Sequence, residues 1–428
     1  MKTLKVALLG CGNVGAQVAR ILLEDASELA ARAGAKLELS GIAVRNIEAK
    51  RDVELPRELF TTDALALIAD ADVVIELLGG MEPAGELISA ALASGASVVT
   101  GNKALLAVRG AELGALAAAN GAQLRYEAAV AGAIPILRPI TDSLSGDRIT
   151  KVMGIVNGTT NFILDAMDTT GAQFADVLAE AQALGYAEAD PTADVEGHDA
   201  AAKAAILASL AFHTDFDLAD VHCEGISSVS AADVAAAADA GMVIKLLAIA
   251  ERLEAGIAVR VHPTLLPRKH PLASVHGAYN AVFVEAENAG ELMFYGAGAG
   301  GAPTASAIMG DTVAIARRLV ADAPVIASGV RGSQPALRFD QIATSYWISL
   351  RVADESGVLS RIAALFAEHG VSIELLRQSV VDSADGGSAL LRIVTHKSTE
   401  AALAATVAAV GKLDVVKEVT SVLRVEGN

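Results

Sequence analysis

The chain opens with an apolar run at residues 4–10 (LKVALLG), followed at once by Gly10-Cys11-Gly12-Asn13-Val14-Gly15 and a segment, 13–24, with helical periodicity. Strand, tight turn and helix in that order make half of a βαβ unit. In a G-x-G-x-x-G turn the first glycine permits the sharp bend and the second lets the backbone approach a pyrophosphate. The third packs the helix closely, and the helix N-terminus offers N–H groups to the anion. A plain packing turn can carry the same letters, so the context matters. Strand-like runs recur at 37–45, 72–78, 96–100 and 122–128, with alanine-rich helical stretches between them. Strands alternating with helices predict a parallel sheet covered on both faces, here a Rossmann-type, dinucleotide-binding domain over residues 1–130.

At 428 residues the chain is too long for one core. From 131 the pattern changes to AGAIPILRPITDSLSGDRIT, then to a helical region over 159–253 and strand-like segments near 257–263 and 279–295. This predicts a second, α+β domain over 131–301 that holds substrate and dimerises. The glycine-rich loop Tyr295–Gly301 leads into a helix, 302–325, expected to complete the first domain. Residues 331–344 read as a linker. The tail, 345–428, begins afresh with WISLRV, a DESG turn, a helix Val358–His369 and two further strands around a second helix, a ferredoxin-like βαββαβ module. The 51 acidic against 33 basic side chains give a net charge of −18, which argues against nucleic acid as a partner. Apolar runs are all broken before spanning length and no signal-peptide pattern opens the chain, so a cytoplasmic protein is expected. Two cysteines, Cys11 and Cys223, make neither a disulfide framework nor a thiolate metal site and read as small buried thiols.

The strand after the glycine turn ends Ala43-Val44-Arg45-Asn46 with no acid to hold a ribose hydroxyl, and Lys50 and Arg51 follow. Arginine there suits a 2′-phosphate, favouring NADP(H) over NAD(H); a solvated basic loop is the alternative. Asp199 and Lys203 stand four apart in DAAAKAAILASLAF, on one helix face, either as a surface ion pair or as an anchored lysine beside a reaction centre. Just upstream, the loop Gly185–Asp194 gathers Glu188, Asp190 and Asp194, which suit the ammonium of a zwitterionic substrate. Metal coordination there lacks paired histidines, and His198 reads as structural. Lys103 falls at the C-terminal edge of a predicted parallel strand, where open α/β sheets place ligands. Asn157-Gly158-Thr159-Thr160-Asn161 reads first as a helix cap and second as a substrate contact. These residues point to a dinucleotide-binding protein with a polar site suited to a zwitterionic small molecule; an NADP-linked small-hydroxy-acid dehydrogenase and a non-catalytic amino-acid and dinucleotide sensor are two readings of it.

Six ordered blocks, GCGNVG, VVTGNKALLA, YEAAVAGAIPIL, GIVNGTTNFIL, LGYAEADPTADVEGHDAAAK and GAGAGGAPTA, together resemble homoserine dehydrogenase across about residues 1–330. The tail, DESGVLSRIAALFAEHGVSIELLRQ, resembles an ACT regulatory domain. The resemblance is to the monofunctional form. It implies NAD(P)-dependent interconversion of L-homoserine and L-aspartate 4-semialdehyde in threonine, methionine and isoleucine biosynthesis. By matching position it implies that Lys203 gives a proton to the aldehyde oxygen, that Asp199 and Glu188 engage substrate, and that Asp194 supports them. Lys103 would lie beside nicotinamide and substrate. Gly10, Gly12, Asn13, Val14, Gly15, Arg45 and Gly301 would line the cofactor site, with Gly185 at its junction with substrate. The resemblance further implies a sodium ion held by backbone carbonyls of Glu127, Val130, Gly132 and Ile134, a homo-oligomer (dimer or tetramer), and L-threonine as effector. In the turn Asp354-Glu355-Ser356-Gly357-Val358-Leu359, helix N–H groups and a carboxylate lie near one another, as an amino acid requires; a ligand-free dimerisation module is the alternative.

Overall fold

The computed structural model describes residues 1–325, 332, 334–381 and 387–427. The first segment runs through β1 (Lys2–Leu9), α1 (Asn13–Glu24), α2 (Ala26–Ala33), β2 (Ala35–Ala43), β3 (Phe60–Thr61), α3 (Ala64–Ala69), β4 (Val73–Glu76), α4 (Ala84–Ala93), β5 (Ser97–Thr100), α5 (Lys103–Ala119) and β6 (Leu124–Arg125). Its six strands pair in parallel in the order β3-β2-β1-β4-β5-β6. Alternate side chains of β1 serve two cores: Leu4, Val6 and Leu8 pack with Val18, Leu22 and Leu29 of α1 and α2, while Ala7 and Leu9 pack with Leu87, Ile88 and Leu105 of α4 and α5. The strand order reverses between β1 and β4, which opens a crevice at their C-terminal ends.

Three expected strands end early. The run 37–45 stops at Ala43 and 72–78 at Glu76, so Arg45 and Leu77 belong to turns. The run 122–128 shrinks to β6, followed by a single helical turn, Glu127–Ala129. Glu127 is buried and accepts the N–H groups of Ile136, Leu137 and Arg138, which draws the chain back on itself.

The chain continues through β7 (Ile149–Ile155), α6 (Gly158–Thr170), α7 (Phe174–Ala183), α8 (Thr192–Val195), α9 (His198–Ala211), β8 (His222–Cys223), α10 (Ala231–Asp239), β9 (Met242–Leu253), β10 (Gly256–Pro267), β11 (Tyr279–Ala286), β12 (Gly290–Ala297), α11 (Gly301–Ala321), β13 (Ala343–Ala353), α12 (Val358–Glu368), β14 (Ile373–Val381), β15 (Ser388–Thr395), β16 (Ser398–Thr399), α13 (Glu400–Val410) and β17 (Val416–Val425). The helical expectation for 159–253 fails at β9, which pairs along its whole length with β10. MVIKLLAIAERL has no polar face, and a run without periodicity does not separate a buried strand from a buried helix.

The chain forms two compact units: Met1–Gly158, Asp199–Ala219 and Ala278–Gln334 in the first, Thr159–His198, Asp220–Gly277 and the chain from Pro335 in the second. In the first, α11 inserts Ala305, Ile308 and Ile315 into the core of α1 and α2. In the second, β17 lies parallel to β10 and antiparallel to β13, giving the order β9-β10-β17-β13-β15-β14. The βαββαβ module therefore shares one sheet with the β9–β10 hairpin. Of the expected linker, residues 331 and 333 lie outside the described residues, while Pro335–Leu337 runs beside β10, hydrogen-bonded to both backbone groups of Ile257. Among the described residues no helix is long and apolar enough to cross a membrane.

Candidate active site

The three glycines of the opening turn divide their tasks. Gly10 has φ +96°, and a Cβ there would lie 2.6 Å from the Leu77 carbonyl oxygen; a Cβ on Gly15 would lie 2.3 Å from the Gly10 oxygen. Both are demanded by the protein's own backbone. Gly12 faces open space, with nothing within 4 Å of its Cβ position. It caps α1 without a side-chain acceptor, so the N-terminal N–H groups of α1 are presented toward that space. Gly301, at the start of α11, would place a Cβ 3.0 Å from the Asn13 oxygen, which brings a second helix N-terminus beside Asn13 and Val14. The crevice is shaped by Glu76, which the sequence analysis did not single out. Buried at the end of β4, it accepts the N–H groups of Leu78 (2.7 Å) and Gly79 (3.1 Å) and the Thr100 hydroxyl (2.5 Å). Its only signal is a lone acid in the apolar run DVVIELL.

Beyond β2, Arg45 and Lys50 are exposed. Arg51 donates to the carbonyls of Asn46, Ile47 and Ala49 of its own loop and lies 4.3 Å over the Phe60 ring. Burial pushes the Cys11 thiol up, partly offset by the neighbouring Arg51 guanidinium.

Alanines at 200, 201, 202, 204, 205 and 208 let α9 sink into the first unit. Asp199 and Lys203 are each only 8% exposed, which overturns the surface-pair alternative. One carboxylate serves two amines: Asp199 Oδ1 lies 2.7 Å from Lys103 Nζ and Oδ2 lies 2.6 Å from Lys203 Nζ. Lys203 also donates to the Val156 carbonyl at 2.7 Å, and the Asn157 amide donates to Asp199 Oδ2 at 2.9 Å. Burial by itself would push the Asp199 carboxyl up, but the two ammonium groups outweigh it and hold the carboxyl well below its usual range. Lys103 stands in the first turn of α5, whose cap Asn102 is itself tied to Gly80 and Thr100, and its side chain is half-exposed. The arrangement presents two cations around one carboxylate, net positive, at the C-terminal edge of a parallel sheet. Such a site neutralises an oxygen on which negative charge develops.

The second unit carries the other candidates. Gly185 follows α7 with φ +77°, Glu188 is exposed with its carbonyl held by Gln182 at 3.0 Å, and Asp194 sits on the short α8. The Thr159 hydroxyl donates to the Tyr186 carbonyl at 2.6 Å. The Asn157 amide and the Thr159 hydroxyl thus both have polar partners, and Asn157 stands immediately before the first residue of α6. Asn161 bridges Val275 and Gly277 and accepts from Lys245, a fully buried amine that burial pushes down to about 8.

In the loop after β6 the Glu127 carboxylate is occupied by three backbone N–H groups and Arg138, and Asp311 accepts the Glu127 N–H at 2.8 Å. Burial pushes the Asp311 carboxyl up to about 6. Ala131 and Gly132 both have φ +58°, and a Cβ on Gly132 would lie 2.3 Å from the Gly298 oxygen. Among the described residues no three His, Cys, Asp or Glu side chains gather as a metal site.

Three family profiles match in order: homoserine dehydrogenase, NAD binding domain, over residues 10–127; homoserine dehydrogenase over 135–313; and the ACT domain over 346–412. Homoserine dehydrogenase of Corynebacterium glutamicum is 54% identical over 98% of this chain and 95% of its own length. The chain belongs to the homoserine dehydrogenases. It is an NAD(P)-dependent oxidoreductase acting on a CH–OH group, in amino-acid biosynthesis. Among solved structures, the homoserine dehydrogenase of Thiobacillus denitrificans aligns with a TM-score of 0.92 at 40% identity, covering 100% of this chain and 99% of that one. A hyperthermophilic archaeal homoserine dehydrogenase in complex with NADPH aligns with a TM-score of 0.63 at 26% identity, covering 75% of this chain and 99% of that one. The expected fold class, a parallel dinucleotide-binding sheet, a catalytic domain and a C-terminal ACT domain, matches the family profiles and the homoserine dehydrogenase of Thiobacillus denitrificans.

Proposed function

We propose that Lys203 is the proton-transfer group of this homoserine dehydrogenase and that Asp199 keeps it charged and aimed. The dinucleotide, when bound, supplies or accepts hydride. In the reductive direction Lys203 gives a proton to the aldehyde oxygen of L-aspartate 4-semialdehyde as negative charge grows there, and in oxidation it takes the proton back. Lys103 adds a second positive charge beside that oxygen and the nicotinamide. Asn157 fixes the shared carboxylate. Glu188 receives the substrate ammonium, supported by Asp194, so that proximity orients the aldehyde. The observation that carries this reading is one buried carboxylate bridging Lys103 and Lys203.

Gly10, Gly12, Asn13, Val14, Gly15, Gly185 and Gly301 hold the dinucleotide in this reading. NADP(H) is preferred and NAD(H) accepted: no acid ends β2, Arg45 and Lys50 are exposed just beyond it, and the archaeal relative binds NADPH. A charge-assisted contact to a 2′-phosphate contributes about 1.5–3 kcal/mol, so Arg45→Ala should weaken NADP(H) about tenfold to a hundredfold and leave NAD(H) alone. Absorbance at 340 nm with L-homoserine and each cofactor in turn reads this; equal losses for both cofactors refute it.

A sodium ion held by the carbonyls of Glu127, Val130, Gly132 and Ile134 is part of this reading; the Glu127 side chain, taken up by three backbone N–H groups and Arg138, leaves its backbone oxygen to such an ion. L-Threonine is the proposed effector at residues 354–359: Gly357, φ +91°, caps α12 with no side-chain acceptor, which leaves N–H groups for a carboxylate beside Asp354. We assign residues 1–130 with α11 to dinucleotide binding, 131–301 to catalysis and dimerisation, 331–344 to the connection and 345–428 to regulation, in a cytoplasmic homo-oligomer.

A further inference from the structure

On the face of the C-terminal sheet opposite α12 and α13, Arg377 of β14 and Arg392 of β15 are direct cross-strand partners. Tyr346, Ile348, Leu350 and Val352 point into the core with those helices, so Trp347 and Ser349 of β13, in register with Val394 and Arg392, point to the other face. Like charges directly opposite one another are destabilising. Among the described residues neither guanidinium has a carboxylate within ion-pair distance, and the Arg392 Nε is buried without a hydrogen-bond acceptor. A bulge between Ile373 and Leu375 turns both Glu374 and Leu375 toward the same space. The result is a cavity of about 260 Å³ whose walls are the two arginines, Glu374, and the apolar side chains of Met242, Trp347, Leu375, Val394 and Val425.

We propose that this cavity binds a small apolar monocarboxylate. Two guanidinium groups call for an anion, and planar guanidinium groups match a carboxylate with paired donors. Trp347, Met242 and the valines call for an apolar body. With two cations and one carboxylate in the lining, the net charge is +1, which suits a monoanion better than a zwitterion. The volume lies below that of drug-sized pockets, which limits the ligand to a handful of carbon atoms. The site is separate from the turn at 354–359, and its success or failure is independent of threonine binding there.

Trp347 is the chain's single tryptophan and lines the cavity, so intrinsic fluorescence of the full-length protein reports on it directly. Titration with isovalerate should change the emission saturably, while L-leucine and inorganic phosphate at the same millimolar concentrations should bind at least about tenfold more weakly. Arg392→Gln should weaken isovalerate at least about tenfold while unfolding at the same or a higher temperature, because it relieves the like-charge pair. The proposal is overturned by an absent response to isovalerate in fluorescence and calorimetry, by unchanged affinity in both Arg392→Gln and Arg377→Gln, or by equal affinity for L-leucine or phosphate.

Discussion

Arg424→Met should destabilise the protein far more than an ordinary substitution on a strand. Arg424 grips Glu224 with two parallel bonds (2.6 and 2.9 Å) and Glu400 with two more (2.9 and 3.2 Å), and it is 8% exposed. Methionine keeps the apolar volume and removes the charge. Glu400, 3% exposed, would then keep, among the described residues, only the hydroxyls of Thr344 and Tyr346. Removing one member of a buried pair and stranding the other costs about 3–5 kcal/mol. Glu224 adds a pH signature: burial opposes its ionisation, but His222 and Arg424 prevail and pull its carboxyl from an ordinary 4.5 to about 2. A depressed folded value stabilises above the unfolded one, so this contribution is complete above pH 4.5 and is lost as pH falls toward 2. Because the Glu224 side chain is 40% exposed, solvent screening keeps its share small beside that of Glu400. Urea and thermal midpoints at pH 7 and pH 4 measure both effects. Arg424→Met should lower the pH 7 midpoint strongly and flatten the acid limb, and the double variant with Glu400→Gln should cost less than the two single losses added. A single variant within about 0.5 kcal/mol of the parent would refute the reasoning.

Asn157→Ala removes a donor to a charged acceptor and should lower kcat/KM for L-homoserine about tenfold to a hundredfold while dinucleotide affinity, measured by fluorescence, holds. Truncation after residue 340 should not yield a simple desensitised enzyme. It deletes Glu426, leaving Arg260, 1% exposed, with Glu251 as its remaining carboxylate among the described residues, and it removes β17, which pairs with the end of β10. Soluble yield and thermal midpoint should both fall, and a truncated chain as stable as the whole would contradict this.

The parallel sheet was legible because β1, its glycine turn and α1 are local signals that agree with one another. The site was legible in part: Lys103 and the Asp199–Lys203 pair stand out as charges among alanines. Asn157 was not, since the same letters serve a helix cap and its partner Asp199 lies 42 residues away. Glu76 acts through backbone groups two and three residues on, which leave no pattern. The failure at β9 has a different origin, because a strand buried on both faces carries no period. The Arg424 cluster draws on residues from 222 to 424, a range no window of sequence spans.

The proposed proton transfer rests on Lys203. Lys203→Ala leaves Asp199 paired with Lys103 at 2.7 Å, so the fold and the dinucleotide site should survive. With L-homoserine and NADP(H), kcat should fall by about 10²–10⁴, the range for loss of a positioned proton-transfer group, while the dissociation constant for NADPH stays that of the parent. A kcat within a few-fold of the parent, with NADPH binding intact, would contradict proton transfer by Lys203.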